Sequence, residues 1–186
     1  MIKILTKLVG LLVLVLAISC ETDTVLSSRQ RLAIEQELLQ EFLESVPDSN
    51  NPAGLNYKDF WTLEAVDTID KSLETGLIYF ELETGTGKAV SVGNQVGYRY
   101  NRYVIARDSL DQPGLFWHSS DPSNYGYVDP DVFVAGSGSG VYSGVEQAIL
   151  NMRKGGKSKV IVPSTVGDGS YITSVYDIEV TYISDN

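Results

Sequence analysis

Few residues in this chain could do chemistry, and their spacing excludes the common sites. Residues 136–140 alternate glycine with serine, but they lack the G-x-G-x-x-G spacing and the helix-starting lysine of phosphate-binding loops. Asp129 and Asp131 flank a proline without the D-x-D-x-D-G spacing of an EF-hand calcium loop. His118 and Cys20 are the single histidine and the single cysteine, too few for a zinc site. The sequence therefore predicts neither a metal nor a cofactor.

The strongest motif lies between residues 133 and 163. It reads FVAGSGSGVYSGVEQAILNMRKGGKSKVIVP. This pattern predicts a strand, a glycine turn, an amphipathic helix at residues 145–153, a KGGK turn and a second strand, in that order. Further strands are predicted at residues 76–83, 96–105 and 175–183, with Val96, Tyr98 and Tyr100 on one face. Short strands, one helix and glycine-rich turns indicate an α+β fold with an antiparallel sheet.

The motif resembles the centre of FKBP-type peptidyl-prolyl cis-trans isomerases, where the order is F-x-L-G-x-G-x-V-I-x-G-W-E-x-x-L-x-x-M-x-x-G-x-K-x-x-x-x-I-P. The matching positions are Phe133, Gly136, Gly138, Val141, Gly144, Glu146, Met152, Gly155, Lys157 and Pro163. The preceding segment LIYFELETGTGKAVSVGNQVGYRY, at residues 77–100, is similar to the first strands of that family. Together with the last strand, the likeness covers about residues 76–183.

The resemblance implies a twisted antiparallel sheet wrapped around one short helix, preceded here by an N-terminal amphipathic helix. It also implies an aromatic pocket whose catalytic residues are Tyr98, Trp117, Val141, Tyr142 and Tyr176. Phe133, His118 and Val145 are the implied substrate-binding residues; His118 stands where the family has an aspartate, and Val145 where it has a tryptophan. In the family, the backbone N–H at the Tyr142 position donates to a carbonyl of the bound peptide.

The implied activity is peptidyl-prolyl cis-trans isomerisation of extracytoplasmic proteins as they fold. Rotation about an X-Pro bond has a barrier of about 18–20 kcal/mol, and a dry aromatic pocket can lower it by favouring the twisted amide, without a nucleophile or a metal. The alternative is a binding module or chaperone with little or no catalysis, which the changes at His118 and Val145 favour. A structural surface protein is a third class, suggested only by the acidic charge and eleven tyrosines.

The N-terminus has the pattern of a lipoprotein signal peptide. Lys3 and Lys7 precede an apolar run at residues 8–18 that is too short to span a bilayer, and small residues lead to Cys20. We therefore expect residues 1–19 to be removed and Cys20 to carry lipid, with Glu21 and Asp23 favouring the outer membrane of a bacterium. An ordinary signal peptide in which the cysteine has no role is the alternative.

The charge of the chain excludes one class of partner. The net charge is −10, and loss of residues 1–19, which contain two lysines and no acidic residue, makes it −12. A surface of this charge repels nucleic acids and anionic head groups, so membrane attachment would come from the lipid anchor. The expected partners are proline-containing polypeptides.

The chain between the anchor and the motif divides into three parts. Residues 20–28 are polar and predict a tether, and residues 29–46 carry apolar side chains at spacings of three, four and seven, which predict an amphipathic helix ending before Pro47. Residues 47–57 predict a loop. The helix and loop form an extension, residues 29–75, ahead of the FKBP-like domain at residues 76–186. Its apolar stripe would dock on that domain or form a dimer, and the oligomeric state is not predicted.

Overall fold

The computed structural model describes residues 25–47, 51, 54–120 and 129–184. The predicted signal peptide, the predicted lipidation site Cys20 and residues 20–24 of the predicted tether lie outside these ranges. The chain divides after Gln30, and residues 31–186 form the compact unit that contains the sheet. Of the unit before it, residues 25–30 are described.

Three helices occur in the described ranges. Helix α1, Ser28–Glu44, begins with a capping box inside residues 25–30, because Ser27 N–H donates to Gln30 Oε1 (2.9 Å) and Gln30 N–H donates to Ser27 Oγ (3.4 Å). Helix α2, Tyr57–Glu64, begins at Asn56, whose side chain accepts a hydrogen bond from Asp59 N–H at 2.8 Å. Helix α3 is Ser143–Ile149.

The same ranges contain seven strands. They are β1 (Asp67–Lys71), β2 (Leu77–Glu83), β3 (Gln95–Arg107), β4 (Pro113–Ser120), β5 (Asp131–Val134), β6 (Lys157–Val162) and β7 (Ser174–Ile183). They form one sheet in the order β1-β2-β6-β7-β3-β4, and β5 also pairs with β3. Every pairing is antiparallel.

Both faces of this sheet are buried, which explains the runs of consecutive apolar residues in its central strands. Successive side chains of a strand point to opposite faces. In β2, Leu77 and Tyr79 therefore join one core, and Ile78 and Phe80 join the other. All four side chains are at most 2% exposed.

Different helices cover the two faces. The first core contains Val145, Ala148 and Ile149 of α3. The second core contains Phe42 and Leu43 of α1 and Trp61 of α2. Phe42 stacks on Tyr57 with ring centroids 4.2 Å apart, so α1 and α2 cover that face as one aromatic cluster. The N-terminal helices are therefore a packed layer on the second core.

The predicted fold class is confirmed. The sheet is antiparallel, a short helix packs on one face, and the N-terminal helix predicted at residues 29–46 is α1. The strands predicted at residues 76–83, 96–105 and 175–183 are β2, β3 and β7. Helix α2 and strand β1 were not predicted. Both fall in the range 29–75, and β1 pairs with β2 at the edge of the sheet.

None of the helices described here combines the length and the apolar character needed to cross a membrane.

Substitution of Phe42 tests the role of α1 on the second core. Phe42 is fully buried, and the Phe42→Ala change leaves a cavity between α1, α2 and the sheet. We expect the free energy of unfolding to fall by about 3–5 kcal/mol, measured by urea denaturation of the full-length protein. Leu73→Ala is the control, because Leu73 is fully exposed and its loss should change stability by less than about 0.5 kcal/mol. Equal effects of the two substitutions would contradict this assignment.

Candidate functional site

A pocket of about 430 Å³ opens on the face of the sheet that α3 covers. Its walls come from β3, β4, β5, β7, helix α3 and the segment that leads into α3. Four of the lining residues are tyrosines: Tyr98, Tyr100, Tyr142 and Tyr176. Gly140, Val141 and Val145 add a small and apolar part, and Arg102, Ser119 and Asp131 add polar groups. The pocket lies within the size range of small-molecule sites, about 300–1,000 Å³.

Strand β3 supplies a row of side chains to this pocket. Tyr98, Tyr100 and Arg102 alternate along the strand and so share one face. The Tyr98 and Tyr100 rings stack with centroids 5.9 Å apart, and Tyr100 meets Tyr176 of β7 edge-on at 5.8 Å. Phe133 of β5 lies buried beside Tyr98, with ring centroids 5.7 Å apart and planes at 88°. The aromatic wall is therefore fixed by ring contacts between three strands.

Arg102 places a positive charge at the end of this row. Its Nη2 donates to Asp168 Oδ2 at 2.5 Å, its Nε donates to Ser174 Oγ at 3.0 Å, and its guanidinium lies 5.8 Å from the centre of the Tyr176 ring. Burial is the largest single influence on Arg102 and opposes its charge, but the hydrogen bond to Asp168 and the electrostatic interactions with Asp168, Tyr176 and Tyr142 together outweigh it, so the pKa of Arg102 is raised. Burial also acts against the Asp168 carboxylate, but its hydrogen bonds with Ser170 and Arg102 lower its pKa overall. The pair therefore stays charged near neutral pH.

The start of α3 places Tyr142 at the pocket. Gly144 N–H and Ser143 Oγ both donate to the carbonyl oxygen of Val166, at 2.8 and 3.2 Å. A Cβ atom on Gly144 would lie 2.8 Å from a methyl group of Val162, so this close approach requires glycine. Among the described residues, no atom accepts a hydrogen bond from the backbone N–H of Tyr142. This N–H is the donor that the family resemblance assigns to substrate binding.

Helix α3 holds the glycine turn, residues 136–140, that precedes Tyr142. Gly136 N–H donates to Glu146 Oε1 at 2.8 Å. Gly136 has a φ of 82°, which side-chain-bearing residues rarely adopt, and a Cβ there would meet Val92 at 2.5 Å. This turn leads through Gly140 to Val141, and both residues line the pocket.

Several of the predicted site residues meet in this pocket. The predicted residues that line it are Tyr98, Val141, Tyr142, Val145 and Tyr176. Phe133 lies behind Tyr98 in the first core. Trp117 and His118 are exposed on β4 and are not among the lining residues. Trp117 is 63% exposed.

A β-bulge in β4 explains the position of Trp117 and His118. Trp117 pairs with Tyr103, but Ser119 pairs with Arg102, so His118 is the extra residue of the bulge. Trp117 shares the sheet face of Tyr103, which packs on the second core, away from the pocket. In a regular ladder His118 would lie opposite Arg102. The bulge places Ser119 there instead, and Ser119 lines the pocket.

Five lining residues were not predicted from the sequence: Tyr100, Arg102, Ser119, Asp131 and Gly140. A signal for two of them was present, because the alternation through Tyr98 continues to Tyr100 and Arg102. The sequence suggested only a calcium-binding role for Asp131. No local pattern in the sequence indicates Ser119, because the direction of its side chain depends on the bulge. The described residues contain no group of three or more His, Cys, Asp or Glu side chains placed to hold a metal ion.

Comparison with known proteins gives similar structures but no family match. No protein-family model matches the chain, and no curated protein matches it. A peptidyl-prolyl cis-trans isomerase from Pseudomonas syringae pv. tomato is similar, with 20% identity and a TM-score of 0.47, over 87% of this chain and 99% of that chain. FkpA from Escherichia coli has 21% identity and a TM-score of 0.46, over 84% of this chain and 67% of that chain. AtFKBP13 has 21% identity and a TM-score of 0.47, over 60% of this chain and 95% of that chain. These values are too low to transfer an activity.

The buried tyrosines give a pH-dependent prediction. Burial raises the pKa of Tyr176 to about 12 and raises that of Tyr79 further, whereas an exposed tyrosine ionises near pH 10. Between these values the native state keeps protons that the unfolded state has released. The contribution of these two tyrosines to stability should therefore be constant below about pH 10 and should fall as the pH rises toward 12.

Ultraviolet titration of the phenols and urea unfolding from about pH 9 to about pH 12 would measure this effect. In Tyr176→Phe, fewer phenols should ionise above about pH 10, and the free energy of unfolding should depend less on pH. Ionisation of all tyrosines in one step near pH 10 would contradict the prediction.

Proposed function

We propose that this protein is a peptidyl-prolyl cis-trans isomerase that acts on proline-containing polypeptides. The observation that carries the proposal is a pocket walled by Tyr98, Tyr100, Tyr142 and Tyr176, beside the segment that resembles the centre of FKBP-type isomerases. A pocket of about 430 Å³ has room for a prolyl ring and part of the preceding residue.

The chemistry that such a pocket performs is conformational. Amide resonance imposes the barrier of about 18–20 kcal/mol, and the barrier falls if the site binds the twisted amide better than the planar one. Aromatic walls remove the water that solvates the planar amide. The backbone N–H of Tyr142 would hold a peptide carbonyl, and the tyrosine rings would contact the prolyl ring.

Arg102 would add an electrostatic contribution. In the twisted amide the nitrogen lone pair is no longer delocalised, so the nitrogen becomes a better hydrogen-bond acceptor. Arg102 uses the N–H of Nε and one N–H of Nη2 for its hydrogen bonds with Ser174 and Asp168, which leaves both N–H donors of Nη1 and the second of Nη2. Because the ion pair with Asp168 holds the guanidinium in place, it would act without reorganisation.

Substitution of Tyr142 tests the proposal. Tyr142→Ala removes an aromatic wall and should lower kcat/KM for short X-Pro peptides by about tenfold, equivalent to about 1.4 kcal/mol of transition-state stabilisation. The measurement is the catalysed cis-to-trans relaxation rate. Tyr182→Ala is the matched control, because Tyr182 is equally exposed (43% against 42%) but lies outside the pocket. No acceleration by the folded wild-type protein would contradict the isomerase proposal.

A binding module without catalysis is the second candidate, and the charged groups in the pocket favour it. Arg102 and Asp131 both line the walls, which makes the site less apolar than a dry isomerase pocket. Such a module would hold extended segments and would bind proline-free peptides as well as X-Pro peptides. A strict requirement for proline in binding would exclude this candidate.

We further propose that the protein is a lipid-anchored extracytoplasmic protein, attached through Cys20 to the outer membrane of a bacterium. The support is the order of charged, apolar and small residues before the cysteine. Cys20→Ser should release the protein from the membrane fraction, because each buried methylene of an acyl chain contributes about 0.8 kcal/mol to anchoring. Ser19→Ala, which keeps a small residue before the cysteine, should stay with the membrane. Retention of the Cys20→Ser protein would contradict the anchor.

A further inference from the structure

One carboxylate group is buried in the protein but does not line the pocket. Glu35 of α1 is 5% exposed. Its Oε1 accepts hydrogen bonds from Ser164 N–H at 2.7 Å and Thr173 Oγ1 at 2.9 Å, and its Oε2 accepts one from Ser164 Oγ at 2.5 Å. All three donors are neutral, and no lysine or arginine of the described residues forms an ion pair with it. A buried charge of this kind is costly unless its hydrogen bonds are satisfied.

The donors to Glu35 lie at the two ends of a single loop. Strand β6 ends at Val162 and β7 begins at Ser174, so residues 163–173 form the β6–β7 loop. Ser164 lies at the start of this loop and Thr173 at its end. One carboxylate on α1 therefore fixes both ends of the loop.

The middle of the β6–β7 loop contacts the pocket at two points. Asp168 holds Arg102 through the 2.5 Å ion pair. The carbonyl oxygen of Val166 accepts the hydrogen bonds from Ser143 and Gly144, directly after Tyr142. The loop thus positions both the charged group and the tyrosine that the proposed reaction uses.

Hydrogen bonds inside the loop connect its ends to its middle. The carbonyl oxygen of Ser164 accepts hydrogen bonds from Gly167 N–H at 3.2 Å and Gly169 N–H at 3.0 Å. Asp168 Oδ1 accepts one from Ser170 N–H at 3.0 Å. Ser164 is therefore bound on one side to Glu35 and on the other to the residues around Asp168.

From this chain of contacts we propose that Glu35 is a positioning residue for the pocket, acting through the β6–β7 loop on Arg102 and Tyr142. The N-terminal helix then has a second task besides covering the second core, because it sets the geometry of a site on the opposite face of the sheet. This inference rests on the proposed function for its effect on catalysis. Its structural part, the dependence of the loop on Glu35, can be measured separately.

The test compares Glu35→Gln with Glu37→Gln in the full-length protein. Both residues belong to α1 and the chemical change is the same, but Glu37 is exposed. The first readout is hydrogen exchange at the amides of Gly144 and Gly169, relative to that of Val160 in β6. The second is the NMR resonance of the Arg102 Nε–H, assigned by its loss in Arg102→Lys. The third is kcat/KM for X-Pro peptides.

We expect Glu35→Gln to speed exchange selectively in the loop, to shift the Arg102 resonance and to lower kcat/KM about three- to thirtyfold. Glu37→Gln should change none of these readouts. Thr173→Val removes only one donor to Glu35 and should give smaller effects in the same direction, which keeps the proposal testable if Glu35→Gln does not fold. The double variant Glu35→Gln, Asp168→Asn should lose little more kcat/KM than the single variant with the larger loss. Both changes break the same chain of contacts through the β6–β7 loop.

Three results would overturn the inference. One is faster exchange throughout the sheet with an unchanged Arg102 resonance, which would give Glu35 a purely structural role. The second is full additivity of Glu35→Gln and Asp168→Asn. The third is an unchanged loop in Glu35→Gln. If the wild-type protein neither catalyses nor binds X-Pro peptides, the proposed function fails, whereas loop exchange and the Arg102 resonance still decide whether Glu35 positions the loop.

Discussion

The burial of both faces of the central strands is the constraint on which this structure depends. Strands β2, β6 and β7 carry apolar side chains in consecutive positions, so each face exposes an apolar surface that must be covered. Helix α3 is only seven residues long and covers one face of the sheet. The other face needs α1 and α2, whose aromatic cluster of Phe42, Tyr57 and Trp61 closes it. The N-terminal helices are therefore part of what makes the sheet stable.

The pocket forms where the first core gives way to polar side chains. Along β3, Tyr98 is 6% exposed, and the row continues through Tyr100 to Arg102, which is bound to Asp168. The apolar end of this row packs in the first core, and the charged end is bound by Asp168 of the β6–β7 loop. A site built in this way combines aromatic surface with a fixed charge. The same loop is tied to α1, so the two faces of the sheet are connected through it.

The sequence predicted the elements with strong local patterns and failed where tertiary contacts decide. The period of two predicted β3 and the glycine-helix-glycine order predicted α3, whereas the five pocket-lining residues named in advance were implied by the family resemblance that this order carries. Helix α2 was missed because its eight residues are too short for a clear helical period, although Trp61 is buried by tertiary packing. Strand β1 is polar and lies at an edge, where pairing with β2 and not composition defines it. Arg102 and Asp168 are 66 residues apart, a pairing that no local pattern reveals.

The bulge in β4 has a consequence for the way this site can change over time. It decides whether Ser119 or His118, the single histidine of the chain, lies opposite Arg102. Loss of the Ser119 codon would remove the bulge and leave His118 opposite Arg102, so a single deletion would exchange a hydroxyl for an imidazole in the pocket. Among descendants of this gene, such a change of specificity would show up as a gap of one residue in an alignment, and a search for substituted pocket residues would overlook it.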